Sequence, residues 1–563
     1  MSDTTDRMLE VPMTRRTALK AGVIGAGAAA GGFAVGNLRI TPAAAQEAAG
    51  GRLVIGKPYE TLLLDPHLSA SQTSWEIQAV VYESLVFLDA DLAPAPGLAE
   101  SWETPDDRTY VFALRQGVMF HNGREMTADD VVYSLNRVLT HPETWWNVKM
   151  GPVLAPDPAE IDAAATAETA GTPTVVPTRI GLTVEATGPY EVTATLTEPY
   201  APFLASLSGT TCSIVPGPEV ENGEIDLTVD MVGTGPFQLV EHLEDQSWTF
   251  SAFPDYWQEG QPQIAELVWQ ITSDESARVA ALRSGEIQLT MFENPTQLDL
   301  VKDDPTIATV QQTTTNYYIL FVNGQRPELA DERIRQAISA GIDRDQIRQV
   351  ALFGRGTTTG PIAAGFTQLT TPLDQVPFYT RDVEQAKQLL AEAGAAEGYP
   401  LQLLVTPVLA ATIPMAELIK AQLAEVGIEI EIVQRDIATF VDEYNTRGVA
   451  QLAISWWAGY SDPYLILLEL ASTAFAPTLG AVNPEIDDLI SQAATTVDPT
   501  ERLAVLKELE VAIATMANFQ PLVTRDNFVA YRKDRLENVS FANGEGFGLP
   551  LWHRLQEMTL LPE

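Results

Sequence analysis

Residues 401–433 constrain the fold more than any other stretch of the chain. Leu401-Gln402-Leu403-Leu404-Val405 has strand character, residues 415–426 carry apolar side chains at helical spacing, and Gly427 stops the helix. Ile428-Glu429-Ile430-Glu431-Ile432-Val433 then alternates as a strand. A strand, a helix and a second strand of these lengths form a crossover unit, which requires a parallel or mixed sheet with helices packed on it. Further helices are predicted over 276–284 (capped by Gly285), 331–342, 383–393 (stopped by Gly394) and 499–516. The first half is richer in strands, at 53–57, 110–114, 180–186, 190–196, 248–253 and 267–271, with helical spacing over 75–85. Residues 155–179 are rich in Ala, Pro, Thr and Asp without periodicity and read as an inserted surface loop. The sum is an α/β chain of 563 residues, long enough for two or three domains.

The first 45 residues stand apart. Thr14-Arg15-Arg16-Thr17-Ala18-Leu19-Lys20 leads into an uncharged Ala/Gly-rich run ending at Leu38, and Ala43-Ala44-Ala45 precedes Gln46. A basic flank, a weakly apolar centre and small residues at a cleavage site make an export signal, and the paired arginines resemble the twin-arginine type. The run is too short and too weakly apolar for a membrane span. Cys212 is the single cysteine, so no disulfide forms within the chain. The net charge of −41 repels nucleic acid and anionic lipid. Eight Lys against 26 Arg on so acidic a chain also suits saline surroundings.

Motifs for chemistry are lacking. There is no His-Glu-x-x-His pair, no phosphate-binding Gly-rich loop with Lys, and no Gly-x-Ser-x-Gly elbow. The five histidines (67, 121, 141, 242 and 553) are scattered, without metal-ligand spacing. The expectation is a binding protein without metal or cofactor. The loop Trp456-Trp457-Ala458-Gly459-Tyr460-Ser461-Asp462-Pro463 follows a strand at 451–455, and ligands of open α/β domains sit at such ends. Its aromatics offer stiff contact surfaces and its polar residues handles, although core packing by the tryptophans and an Asp-Pro turn explain the same residues. Trp145-Trp146 is a second aromatic pair with the same two readings.

Seven segments, in order, resemble the extracytoplasmic solute-binding proteins of ABC importers, in the peptide/nickel group. They are Leu98-Ala99-Glu100-Ser101-Trp102 with Tyr110-Val111-Phe112; Phe120-His121-Asn122-Gly123 with Thr127-Ala128-Asp129-Asp130-Val131; and Gly233-Thr234-Gly235-Pro236-Phe237. Pro254-Asp255-Tyr256-Trp257, Ser284-Gly285-Glu286-Ile287, Arg333-Ile334-Arg335-Gln336-Ala337-Ile338 and Leu423-Ala424-Glu425-Val426-Gly427-Ile428 complete the series. The resemblance implies a fold like type II periplasmic binding proteins, with two mixed-sheet lobes joined by two crossover strands and a subdomain inserted in the first lobe. The expected division is a cleaved signal at 1–45, first-lobe pieces at 46–75, 213–289 and 525–563, an inserted subdomain at 76–212, and a second lobe at 290–524. It further implies a periplasmic monomer that encloses a peptide-like or other mid-sized polar solute and hands it to a membrane permease, with no chemistry on the ligand. Members of the group often hold a peptide's ammonium with an aspartate where this chain has Gly459, and dipeptide binders hold the carboxylate with an arginine near Ile413, where none stands. Asp462 is then a candidate shifted ammonium partner. The expected contacts are Ser71, Gln72, Thr73, Trp75, Asn316 and Tyr317, with Trp456, Trp457, Gly459, Tyr460 and Asp462 from the loop. Alternatives are an oligosaccharide or opine as solute, an exported twin-arginine-dependent enzyme, and a periplasmic chaperone.

Overall fold

The computed structural model describes residues 50–61, 63–69, 71–89, 91–144, 154–155, 180–395, 397–471, 479–540 and 554–562. The export signal, most of the loop at 155–179 and the Trp145-Trp146 pair lie outside them. Among the described residues no helix is long and apolar enough to cross a membrane.

Two mixed sheets form the frame. The first has seven strands, in the order Ile307–Gln312, Asn527–Arg532, Leu289–Phe292, Arg52–Lys57, Glu266–Ile271, Ser247–Ala252 and Phe237–Leu243. Arg52–Lys57 is its parallel centre, flanked by Glu266–Ile271 and Leu289–Phe292, and the outer pairings are antiparallel. The second has five, in the order Ile428–Gln434, Tyr399–Val405, Leu452–Trp457, Tyr317–Val322 and Phe519–Thr524. Its parallel half is the crossover unit read from the sequence. The helix Thr412–Val426 ends at Gly427, whose φ of 97° is left-handed backbone that a side chain disfavours.

The chain passes between the two sheets twice: through Thr313-Thr314-Thr315-Asn316 going out, and through Arg525-Asp526 coming back. The crossings are tied to each other, since the Arg525 amide donates to the Asn316 carbonyl (2.9 Å) and the Thr314 hydroxyl to the Arg525 carbonyl (2.8 Å). Leu289–Phe292 and Ile307–Gln312 pair with Asn527–Arg532 in the seven-stranded sheet. Both therefore belong to the seven-stranded sheet, although the expected boundary at 290 groups residues 290–312 with those of the five-stranded sheet. The true crossing has only polar residues between two strands, and no Gly or Pro marks it.

A third sheet, in the order Ala99–Asp106, Thr109–Leu114, Glu191–Leu196, Ile180–Gly188 and Leu154–Ala155, lies between the first and second strands of the seven-stranded sheet in chain order. Its apolar side shares one cluster with a face of the five-stranded sheet, running from Phe112, Tyr200 and Phe203 to Tyr317, Trp457 and Phe519. The segments behind the family resemblance converge at the base of this region. Thr127 and Asp130 make a capping box for the helix Ala128–Thr140, and Asp130 also takes both Arg124 amino groups (2.9 and 2.5 Å) and the Gly217 amide (2.9 Å). His121 Nε2 donates to the Gly235 carbonyl (2.9 Å). Buried Glu83 accepts from the Thr234 hydroxyl (2.8 Å), the Tyr256 hydroxyl (2.8 Å) and Trp257 Nε1 (3.0 Å). Gly233 and Gly235 are small because a Cβ there would lie 2.1 and 2.7 Å from the Val81 backbone. These motifs build the frame rather than a ligand site.

Candidate functional site

The parallel strands of both sheets end at the crossings. Arg52–Lys57 and Leu289–Phe292 run into Tyr59 and Glu293, and Leu452–Trp457 runs into the loop 458–462. Carboxyl ends of strands facing one another across two connections make the position where an α/β fold takes a ligand.

Gly459 is locked against the outgoing crossing. Its amide donates to Asn316 Oδ1 (2.7 Å), and a Cβ on it would lie 2.0 Å from Thr315 Oγ1 and 2.3 Å from the Thr315 carbonyl. An aspartate cannot occupy this position in this arrangement, which is the physical reason for glycine where the resemblance leads one to expect an acid. Asn316 and Tyr317, both expected at the ligand, are buried at 5% and 3% exposure. Asn316 holds the loop, and Tyr317 lies beside Trp457 on the adjoining strand.

Asp462 does not serve as a free acid. Its carboxylate pairs with both Arg502 amino groups at 2.8 Å, caps the helix Pro463–Leu467 through the Tyr464 amide (2.8 Å), and is 8% exposed. Ser461 donates to the Ala205 carbonyl (2.9 Å), joining the loop to the segment that follows the third sheet.

The two tryptophans part company because successive side chains of a strand point to opposite faces. Trp457 is buried between Phe321 (5.2 Å between ring centres) and Phe519 (5.7 Å) and donates to Glu469 (3.2 Å). Tyr460 donates to the other Glu469 oxygen (2.6 Å). Burial, with the Glu469 carboxylate beside it, holds the Tyr460 hydroxyl well above the ordinary phenol range, so it remains a donor. Tyr317, Trp457, Ile466, Leu470 and Phe519 close around this group and leave no room for a water-sized molecule. Trp456 is half-buried on the other face, with the Arg525 guanidinium 5.0 Å from its ring centre. Both tryptophans cannot stack on one ligand group.

On the first-lobe side, the Ser71 and Thr73 hydroxyls bond each other (2.8 Å), and the Thr73 carbonyl accepts from Lys57 Nζ and from Thr61 (3.2 Å). Lys57 also pairs with Glu76 (2.8 Å) at 1% exposure. Trp75 is 4% exposed and donates to the Ser69 carbonyl (3.1 Å), a core role. Gln72 opens the helix Gln72–Gln78, and its side chain lies outside the described residues. Tyr59, Glu293, Arg502 and Arg525 also stand at or beside these strand ends, outside the segments expected from the sequence. Arg525 carried one signal, a lone arginine with Asp526 between two apolar strands in a chain short of basic residues.

Among the described residues no cluster of three or more His, Cys, Asp or Glu side chains could hold a metal ion. His67 and His121 bond backbone carbonyls away from the loop, at Ser213 (2.8 Å) and Gly235 (2.9 Å).

A sequence profile of the bacterial extracellular solute-binding proteins, family 5, matches residues 93–476. A dipeptide-binding protein of Escherichia coli is 30% identical over 481 residues, covering 80% of this chain and 85% of the relative. A heme-binding protein A of Haemophilus influenzae is 29% identical over 480 residues, covering 81% and 84%. The crystal structure of an ABC transporter substrate-binding protein of Listeria monocytogenes superimposes with a TM-score of 0.77 at 22% identity, covering 91% of this chain and 99% of that one.

Proposed function

Because this chain belongs to the bacterial extracellular solute-binding proteins of family 5, we propose that it captures a peptide-like solute between two lobes and delivers it to an ABC permease in the inner membrane. The family consists of binding proteins, and in this reading the chain changes the position of its solute and not its bonds. The first lobe is the seven-stranded sheet, the second the five-stranded sheet, and the third sheet is the inserted subdomain. The hinge lies at Thr313-Thr314-Thr315-Asn316 and Arg525-Asp526, and closure about it encloses the solute. Export of the folded monomer through the twin-arginine route is part of the same reading.

The single observation that carries the peptide class is the 30% identity to a dipeptide-binding protein over four-fifths of this chain. Ser71, Thr73 and Trp456 are assigned to the cleft wall, with Trp75, Asn316, Tyr317, Trp457, Gly459, Tyr460 and Asp462 supporting it from behind. Thermal unfolding of the mature protein tests the class directly. A ligand at 100 times its dissociation constant raises stability by about 2.7 kcal/mol. Alanine peptides of two to five residues are expected to raise Tm, and maltooligosaccharides and haem to leave it unchanged. A rise with either of the latter and none with peptides would overturn the reading.

A further inference from the structure

A peptide enclosed in a cleft presents a carboxylate that burial penalises unless it is paired. Among the described residues, Arg525 is a guanidinium at the crossings that is partly open to solvent. Arg525 belongs to the return crossing, with its ring contact to Trp456 at 5.0 Å and a side-chain hydrogen bond to Tyr318. It is 27% exposed and faces Glu293, on the end of Leu289–Phe292, at 3.6 Å. Glu293 is 49% exposed and has a second partner, the Tyr59 hydroxyl at 3.2 Å.

We propose that Arg525 is the anchor for the ligand's carboxylate, with Glu293 its resting partner in the empty protein. The proposal rests on the peptide-like solute assigned above. Three features of the cluster favour it. An ion pair this long and this exposed contributes little, so a ligand displaces it at small cost. Glu293, once released, stays bonded to Tyr59 and is not left stranded. Trp456 lies against the guanidinium, which is 5.0 Å from its ring centre, and the amino group now facing Glu293 is the one a ligand carboxylate would take over. Arg525 also sits in the hinge itself, its backbone tied to Asn316 and Thr314, so a ligand carboxylate held there engages the element that closure moves. Tyr59, at 48% exposure, adds an aromatic face at the mouth of the cluster.

The test is titration calorimetry of the mature protein with alanine peptides of two to five residues as free acids, and with the same peptides as C-terminal amides. The free acids are expected to bind roughly 10–100-fold more tightly, the range for a hydrogen bond to a charged partner. Arg525→Gln is expected to abolish that preference, with its folding checked by circular dichroism. Glu293→Gln, at an exposed position that does not threaten folding, is expected to tighten free-acid binding severalfold because the resident competitor is gone. Amides that bind the native protein as tightly as acids would overturn the anchor and leave the peptide reading standing. A free-acid preference that survives in Arg525→Gln, or a Glu293→Gln variant that binds acids more weakly, would overturn it too. If neither set binds, the peptide reading falls and the anchor falls with it.

Discussion

Replacing Asp462 by Asn separates structure from recognition. Asparagine caps a helix about as well as aspartate, so the bond to the Tyr464 amide is kept and only the charge facing Arg502 is lost. Arg502 then retains Nε on the Ala493 carbonyl (2.8 Å), but its guanidinium stays in a site where it is 13% exposed without a counter-charge. Removing one member of a buried pair costs about 3–5 kcal/mol, and slight exposure here places the cost near 3. For a lobe of this size that corresponds to a fall in Tm of roughly 6–12 °C. Arg502→Met should cost a similar amount. The double variant should lose clearly less than the sum, with a coupling of about 2 kcal/mol, because neither charge is then left alone. Differential scanning calorimetry at pH 7 measures all three, and titration with a bound alanine peptide measures affinity per folded molecule, which should stay within threefold. An Asp462→Asn protein with unchanged Tm and tenfold weaker peptide binding would refute the reasoning and restore Asp462 as the ammonium partner.

Gly459→Ala should cost about 2 kcal/mol from overpacking against Thr315, and Gly459→Asp should cost more without improving peptide affinity; a Tm within 1 °C of the parent would show that the crossing yields freely. Burial holds His67 and His121 at about 4, below the ordinary 6.5, so each contributes stability that is complete above pH 6.5 and is lost as pH falls toward 4. Burial raises Glu83 to about 7, and it acts with the opposite sign between pH 7 and 4.5, so the net decline in Tm is shallower than the histidines alone would give. His121→Gln should flatten that decline further, and identical Tm–pH slopes in both proteins would contradict the assignment. Lys in place of both Arg15 and Arg16 should leave the precursor in the cytoplasm, read by fractionation; unaltered export would remove the twin-arginine assignment.

What was legible in the sequence followed local periodicity. The crossover unit at 401–433 and the glycine stops at 285 and 427 announce themselves because a helix repeats every 3.6 residues, a strand every two, and left-handed backbone favours glycine. The lobe boundary was not legible, because Ile307–Gln312 and Tyr317–Val322 differ only in which sheet they join, and partnership is a long-range property. The site was half legible. The strand runs on through Trp456 and Trp457, two residues beyond the expected end, so only 458–462 form the loop, and which residues of 456–462 face outward depends on partners far away in sequence. Asp462 is taken by Arg502, Trp457 by Phe321 and Phe519, and Gly459 by Thr315. Arg525 and Glu293, 232 residues apart in the chain, meet only because the return crossing passes the end of a first-lobe strand.

Native mass spectrometry of the freshly exported mature protein, followed by denaturing release and identification of what it held, tests the central claim most directly. The account predicts one small molecule per protein chain, a short peptide with a free carboxyl terminus. A retained oligosaccharide, haem or metal chelate in that place would contradict it.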